Sequence, residues 1–220
     1  MNTVDQKLMR QIFKGIAEKT GKTPQVGFIR LEQLADNSKG VYQFPLKKST
    51  GSVLATEQRL DENDAFFATH ARVRLKFEDP AKPGSGVYQS YPNQTAIAPT
   101  AGEVVAADLE SIFASKLNIK IDNRDVIKAA DMNNSRVVLT SQQSAASNHS
   151  EVDSYTGLID LHGVIRLSGS ATIEINLDTP SYSGKLVQRT TGSGRVYVCV
   201  DFYGFLVTGG SALGEISVNY

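Results

Sequence analysis

The segment Ala71-Arg72-Val73-Arg74-Leu75-Lys76-Phe77 alternates apolar and basic residues without a break. Successive side chains of a strand point to opposite faces, so Ala71, Val73, Leu75 and Phe77 face one way and Arg72, Arg74 and Lys76 the other. This predicts a strand with one core face and one wet or paired face, and a solvated outer face is the expectation for the three cations. Thr172–Leu177 repeats the logic with Ile173, Ile175 and Leu177 inward. Arg195–Tyr203 is apolar on nearly both faces, which predicts a central strand.

Further strands are expected at Val26–Leu31, Val41–Leu46, Ser52–Thr56, Leu117–Ile121, Arg136–Thr140, Leu158–Leu167 and Phe205–Thr208. Gly, Pro, Asn and Ser clusters separate them, as turns require. Two segments have helical spacing instead. Thr3–Thr20 places Val4, Leu8, Ile12, Phe13 and Ile16 on one stripe, with Thr3 as N-cap and Gly21 as C-cap. Gly102–Ser115 carries Val104, Val105, Leu109, Ile112 and Phe113 and reads as a helix inserted between strands. Three long irregular stretches remain, Glu78–Ala101, Ser141–Thr156 and Asp178–Gly194, and long loops on a compact β domain usually serve function or partners. No internal repeat is present, which weighs against a propeller or solenoid. The expected fold is therefore mostly β: a β-sandwich of jelly-roll type over 25–220, with an N-terminal amphipathic helical arm over 1–24.

A chain of 220 residues buries about seven-tenths of its extended surface on folding, so its core needs no disulfide staple. Its 23 basic and 23 acidic residues cancel, which removes the whole-molecule field that draws a typical nucleic-acid binder to phosphate. One local exception is the first helix, where Lys7, Arg10, Lys14, Lys19 and Lys22 face only Asp5 and Glu18. A basic amphipathic helix suits a membrane, a nucleic acid or a partner, and most often packs its stripe on its own domain. The single cysteine, Cys199, sits between valines and reads as a buried hydrophobe. The N-terminus lacks the apolar core of a secretory signal, and no apolar run is long enough to span a membrane; folding in a cytoplasm is the expectation.

The residues offer little catalytic chemistry. His70, His149 and His162 stand at no metal-ligand spacing from one another or from Cys199. The acidic run Asp61-Glu62-Asn63-Asp64 would need glycine at Phe66 and glutamate at Arg72 to form an EF-hand loop, so it reads as a turn, as does Asp122-Asn123-Arg124-Asp125. Gly192-Ser193-Gly194 precedes a strand rather than a phosphate-holding helix, and Gly209–Gly214 lacks the spacing of a nucleophile elbow. Glu174 and Asp201 both lie on strands, where a glycosidase would need them to converge. Stacking on sugar would rest on Tyr88, Tyr91, Tyr155 or Tyr182, since tryptophan is absent. Sequons at Asn93, Asn133 and Asn148 carry no weight without a secretion signal. The expectation is a non-enzyme without cofactor, metal or small-molecule substrate.

The segment Ala55-Thr56-Glu57-Gln58-Arg59-Leu60-Asp61-Glu62-Asn63-Asp64-Ala65-Phe66-Phe67 is similar to a segment of virion structural proteins of bacterial viruses. The layout of basic helix, β-sandwich and long polar loops also resembles a capsid protein. The resemblance implies a self-assembling capsid or capsid-associated subunit, built in the host cytoplasm, whose partners are copies of itself and other virion proteins. On that reading Lys7, Arg10 and Lys14 are candidates for facing the genome or an inner membrane. A carbohydrate-binding or adhesion module is the alternative.

Overall fold

The computed structural model describes residues 3–36, 39–51, 53–78, 81–82, 84, 86–89, 112–136, 157–180 and 195–211. It opens with helix α1, Thr3–Thr20, whose bounds are those the apolar spacing predicts. Gly21 ends it with φ +65°, and its N–H donates to the Ala17 carbonyl at 2.9 Å. A left-handed residue at this point is most easily a glycine, which carries no Cβ to clash.

Nine strands follow among the described residues: β1 Gln25–Leu34, β2 Val41–Phe44, β3 Ala65–Glu78, β4 Val87–Gln89, β5 Lys116–Ile121, β6 Arg124–Asp131, β7 Ile159–Ser168, β8 Ile173–Asp178 and β9 Arg195–Val207. They form two wholly antiparallel sheets. The first, sheet A, runs β1-β9-β3, and the far side of β3 is shared by β7 along its first half and β4 along its end. The second, sheet B, runs β2-β8-β5-β6.

The sheets share one apolar core. Sheet A contributes Ile29, Leu31, Ala71, Val73, Leu75, Val198, Val200 and Phe202, and sheet B contributes Tyr42, Phe44, Leu117, Ile119, Ile175 and Leu177. The period-two patterns of β3 and β8 thus point inward as expected, and β9 is central, between β1 and β3. It also runs through Gly204 as one strand where two were expected.

A β-bulge redirects β3. Ala68 pairs with Gly204 and His70 with Tyr203, which leaves Thr69 as an extra residue. Its hydroxyl donates to the Tyr203 carbonyl at 3.1 Å, so the interrupted ladder loses no acceptor. Gly204 is required here, because a Cβ would stand 1.9 Å from the Phe67 carbonyl oxygen. Before the bulge Ala65 and Phe67 face away from the inter-sheet core; after it, Arg72, Arg74 and Lys76 do. With Phe205 and Val207 of β9, Ala65 and Phe67 form a second apolar cluster with Ile12 and Ile16 of α1, joined by Met9, Phe13 and Val164. The N-terminal helix therefore packs on the outer face of sheet A.

Other expectations divide. Residues 53–56 form coil and a turn rather than a strand, and Arg136 follows the 3-10 turn Asn133–Ser135, with 137–140 outside the described residues. Of the inserted helix, only Ile112 and Phe113 fall among the described residues as helix, both fully buried. Strands β4 and β6 were not expected. β6 is exposed at most positions, so hydrogen bonding to β5, not burial, makes it a strand. Asp122 and Asn123, with φ of 48° and 66°, make the turn between β5 and β6, as a type I′ hairpin demands.

Candidate functional site: a buried charged face

Beyond the bulge, the outer face of sheet A carries charge in rows. Arg30, Asp201 and Arg72 lie directly opposite one another across β1, β9 and β3. Glu32, Cys199 and Arg74 make the next row, and Leu34, Tyr197 and Lys76 the one after. The expected solvated face is not what forms: Arg72 is 2% exposed, Arg74 4% and Lys76 0%. Burial on this scale demands partners, because an uncompensated charge in a dry site costs several kcal/mol.

Asp201 supplies the first of them. It is wholly buried and accepts from Arg30 Nε at 3.0 Å and from Arg72 Nε at 3.2 Å, and it pairs with Arg74. Aromatic faces complete the packing. The Arg30 guanidinium lies 4.0 Å from the Tyr88 ring centre and 5.0 Å from that of Phe28, Arg74 lies 4.5 Å from Tyr88, and Arg72 lies 5.0 Å from Tyr203. Such stacks contribute most when desolvated. Burial works against the charge on Arg30, but Asp201 and Tyr88 outweigh it and raise its pKa.

Lys76 supplies the second centre. Its ammonium contacts Glu32 and lies 2.9 Å from Glu78 Oε2, 2.7 Å from Thr56 Oγ1 and 4.3 Å from the Tyr197 ring centre. Glu32 also accepts from Tyr88 Oη at 2.6 Å and from Thr56 Oγ1 at 2.9 Å. Burial opposes the Lys76 charge, yet hydrogen bonds to Glu32 and Glu78 raise its pKa overall. Burial, then the bond to Glu32, raises the Tyr88 phenol, which keeps it a donor.

The segment over residues 54–59 holds this face from the β1 side. Glu57 accepts the backbone N–H of Glu32 at 3.0 Å and of Leu54 at 2.8 Å and pairs with Arg59 at 2.8 Å, while Gln58 and Arg30 exchange backbone hydrogen bonds at 2.9 and 3.0 Å. Thus residues 54–59 form the edge of the charged face.

The remaining candidates do not join it. Lys7, Arg10 and Lys14 are exposed on α1, and Lys14 lies 3.7 Å from Glu18. Glu174 projects from the outside of sheet B, so the inter-sheet core separates it from Asp201 and the two carboxylates do not converge. His70 contacts Thr69 Oγ1 at 2.9 Å, His162 is exposed, and His149 lies outside the described residues. Asp61–Asp64 is a turn, with Asp61 held by Lys48 at 2.8 Å and Asp64 accepting from Gly209 N–H at 2.8 Å. Tyr88 is committed to Glu32 and the arginines; Tyr91, Tyr155 and Tyr182 lie outside the described residues, as do Asn93 and Asn148. Among the described residues no group of three or more His, Cys, Asp or Glu could hold a metal ion, and no helix is long and apolar enough to cross a membrane.

Glu32 on β1 and Thr56 in the 54–59 segment were missed because they lie on elements distant from β3, and Glu78, two residues beyond Lys76 on the same strand, because nothing local marks it as a partner. The legible signal was Asp201, a lone carboxylate in an apolar strand, set against the alternating cations of β3. No family model matches the chain, and no curated protein or solved structure matches it significantly.

Proposed function

We propose that this chain is a jelly-roll structural subunit of a virion shell, working by association with copies of itself and with other shell proteins in the host cytoplasm. The observation that carries the reading is the nesting of strand pairs. With the three-residue β4 set aside, eight strands remain, and the first pairs with the last (β1 with β9), the second with the seventh (β2 with β8), the third with the sixth (β3 with β7) and the fourth with the fifth (β5 with β6). That is the pairing of one long hairpin, and β9 on β3 with β8 on β5 rolls it into two sheets. Rolled hairpins of this order are used by viral capsid, lectin and cupin domains. Among these, the likeness of residues 55–67 to virion proteins favours the shell.

The rim of sheet A supports association. Arg30 and Glu32 direct their backbone N–H groups outward, to Gln58 and Glu57. By the alternation of an antiparallel ladder, Val26 and Phe28 direct theirs outward too. Among the described residues no backbone group pairs with them, and their side chains are 78% and 42% exposed. An apolar edge without bulge, lysine or proline invites another strand. Lys7, Arg10 and Lys14, on the exposed side of α1, suit the phosphates of a genome or an anionic membrane.

Light scattering across concentration, with electron microscopy of any large species, tests the proposal. Regular rings or shells are expected, with Val26→Lys/Phe28→Lys remaining folded and failing to assemble. A strict monomer at high concentration would overturn the assembly reading, and a monomer that binds sugar saturably would put a lectin in its place.

A further inference from the structure

Lys76 is the one lysine among the three alternating cations of β3, Arg72, Arg74 and Lys76, and it stands where a second carboxylate is within reach. Its Nζ touches Oε2 of Glu32 and lies 2.9 Å from Oε2 of Glu78. The side chains of Lys76 and Glu32 are both wholly inaccessible to solvent. Two hydroxyls donate to the Glu32 carboxyl, Tyr88 Oη at 2.6 Å and Thr56 Oγ1 at 2.9 Å. An amine, a carboxyl carbon beside it, two donors on that carboxyl and a proton acceptor on the amine thus meet in one dry site. We propose that Lys76 and Glu32 condense into an intramolecular amide, a covalent cross-link between β3 and β1.

The step balances without a co-reactant. Lys76 passes one ammonium proton to Glu78, and the neutral Nζ attacks Cδ of Glu32. As the C–N bond forms, the carboxyl oxygens take up negative charge, where Tyr88 and Thr56 already donate. Collapse breaks one C–O bond. The departing oxygen takes the proton held by Glu78 and a second proton from nitrogen, and leaves as water. One ammonium and one carboxylate become one neutral amide.

Two physical effects favour it. Fixed contact replaces a bimolecular encounter, and well-oriented intramolecular partners reach effective concentrations of about 10⁵–10⁸ M. In water the solvation of the two ions holds them apart, whereas here both have lost that solvation and the amide removes the buried charges. A guanidinium stays charged and is a poor nucleophile, so Arg30, Arg72 and Arg74 cannot do the same with Asp201. Against these, Glu32 and Glu78 stabilise the ammonium, and hydrogen bonds from Gly84 and Lys76 hold the Glu78 carboxyl below its ordinary range despite burial. The resting state is the ion pair, and bond formation is a slow, single event in the folded protein. The link crosses over β9, tying two strands that share no backbone hydrogen bond with each other. It does not depend on what the chain assembles into.

Mass spectrometry of the intact, denatured full chain tests it, before and after prolonged warm incubation. The expected result is a species lighter by one water, with a proteolytic digest yielding a branched peptide that joins Lys76 to Glu32. Glu78→Gln keeps both reacting groups and removes the proton acceptor, and is expected to slow the bond by about 10²–10⁴-fold. Lys76→Arg is expected to retain the full mass. Protection of Cys199 from alkylation reports that each sample was folded during incubation. Full mass in folded wild-type protein, or a water loss mapping to other residues, overturns the proposal.

Discussion

The two sheets carry similar charge on their outer faces and treat it in opposite ways. On sheet B, Lys120 stands opposite Glu174 and Lys116 opposite Asp178 across β5 and β8, all four exposed. On sheet A, Arg30 and Arg72 flank Asp201 across β1, β9 and β3, and the group is buried. The register is complementary in both. The difference is cover: Tyr88 and the segment 54–59 close over the face of sheet A that α1 leaves free. Exposed ion pairs contribute about 0–1 kcal/mol because water competes for both partners, while a buried charge that loses its partner costs about 3–5 kcal/mol. One sheet can therefore exchange its charges freely and the other cannot.

The largest test of that contrast is Asp201→Ala. It leaves three guanidiniums on sheet A facing an apolar side chain, and urea unfolding is expected to show a loss of about 3–5 kcal/mol. A loss below 1 kcal/mol would mean that solvent reaches the row and that the two faces are alike. Next in size is chemical access. Cys199, between Glu32 and Arg74 on the buried face, has its thiol pushed well above the ordinary value, first by burial and then by Glu32 and Asp201. Only the thiolate alkylates readily, so iodoacetamide at mildly alkaline pH is expected to spare Cys199 until the chain unfolds, while a thiol introduced on the other sheet by Lys120→Cys reacts at once. Equal labelling rates would break the comparison. The smallest effect belongs to Lys120→Gln, which breaks an exposed cross-strand pair and is expected to shift stability by no more than about 0.5 kcal/mol. A larger change would show that sheet B also depends on its surface charges.

Legibility in the sequence followed burial on one side. β8 and the second half of β3 alternate because one face meets the core, and α1 shows its stripe because Ile12 and Ile16 meet sheet A. β6 and β4 escaped notice for the opposite reason. β6 has little buried face to impose a pattern, and β4 is only three residues long, defined by pairing with Leu75–Phe77. The charged site was half legible. Cations at alternate positions and Asp201 within an apolar strand were visible, but their meeting depends on a register between residues more than a hundred apart.

The sequence by itself determined a mostly β chain, an N-terminal helix that packs Ile12, Phe13 and Ile16 of its stripe while Leu8 stays exposed and Met9 packs instead, and a central strand at β9, because local periodicity follows from which side of an element must leave water. Whether Arg72, Arg74 and Lys76 would meet solvent or carboxylates was decided only in the tertiary structure. Alternation states that two faces differ, and what covers the second face depends on distant elements. The bulge at Thr69 gives one outer face an apolar half for α1 and a charged half for Asp201 and Glu32. An inserted residue flips every later side chain to the opposite face, and its effect is set by Gly204 and Tyr203 on the neighbouring strand.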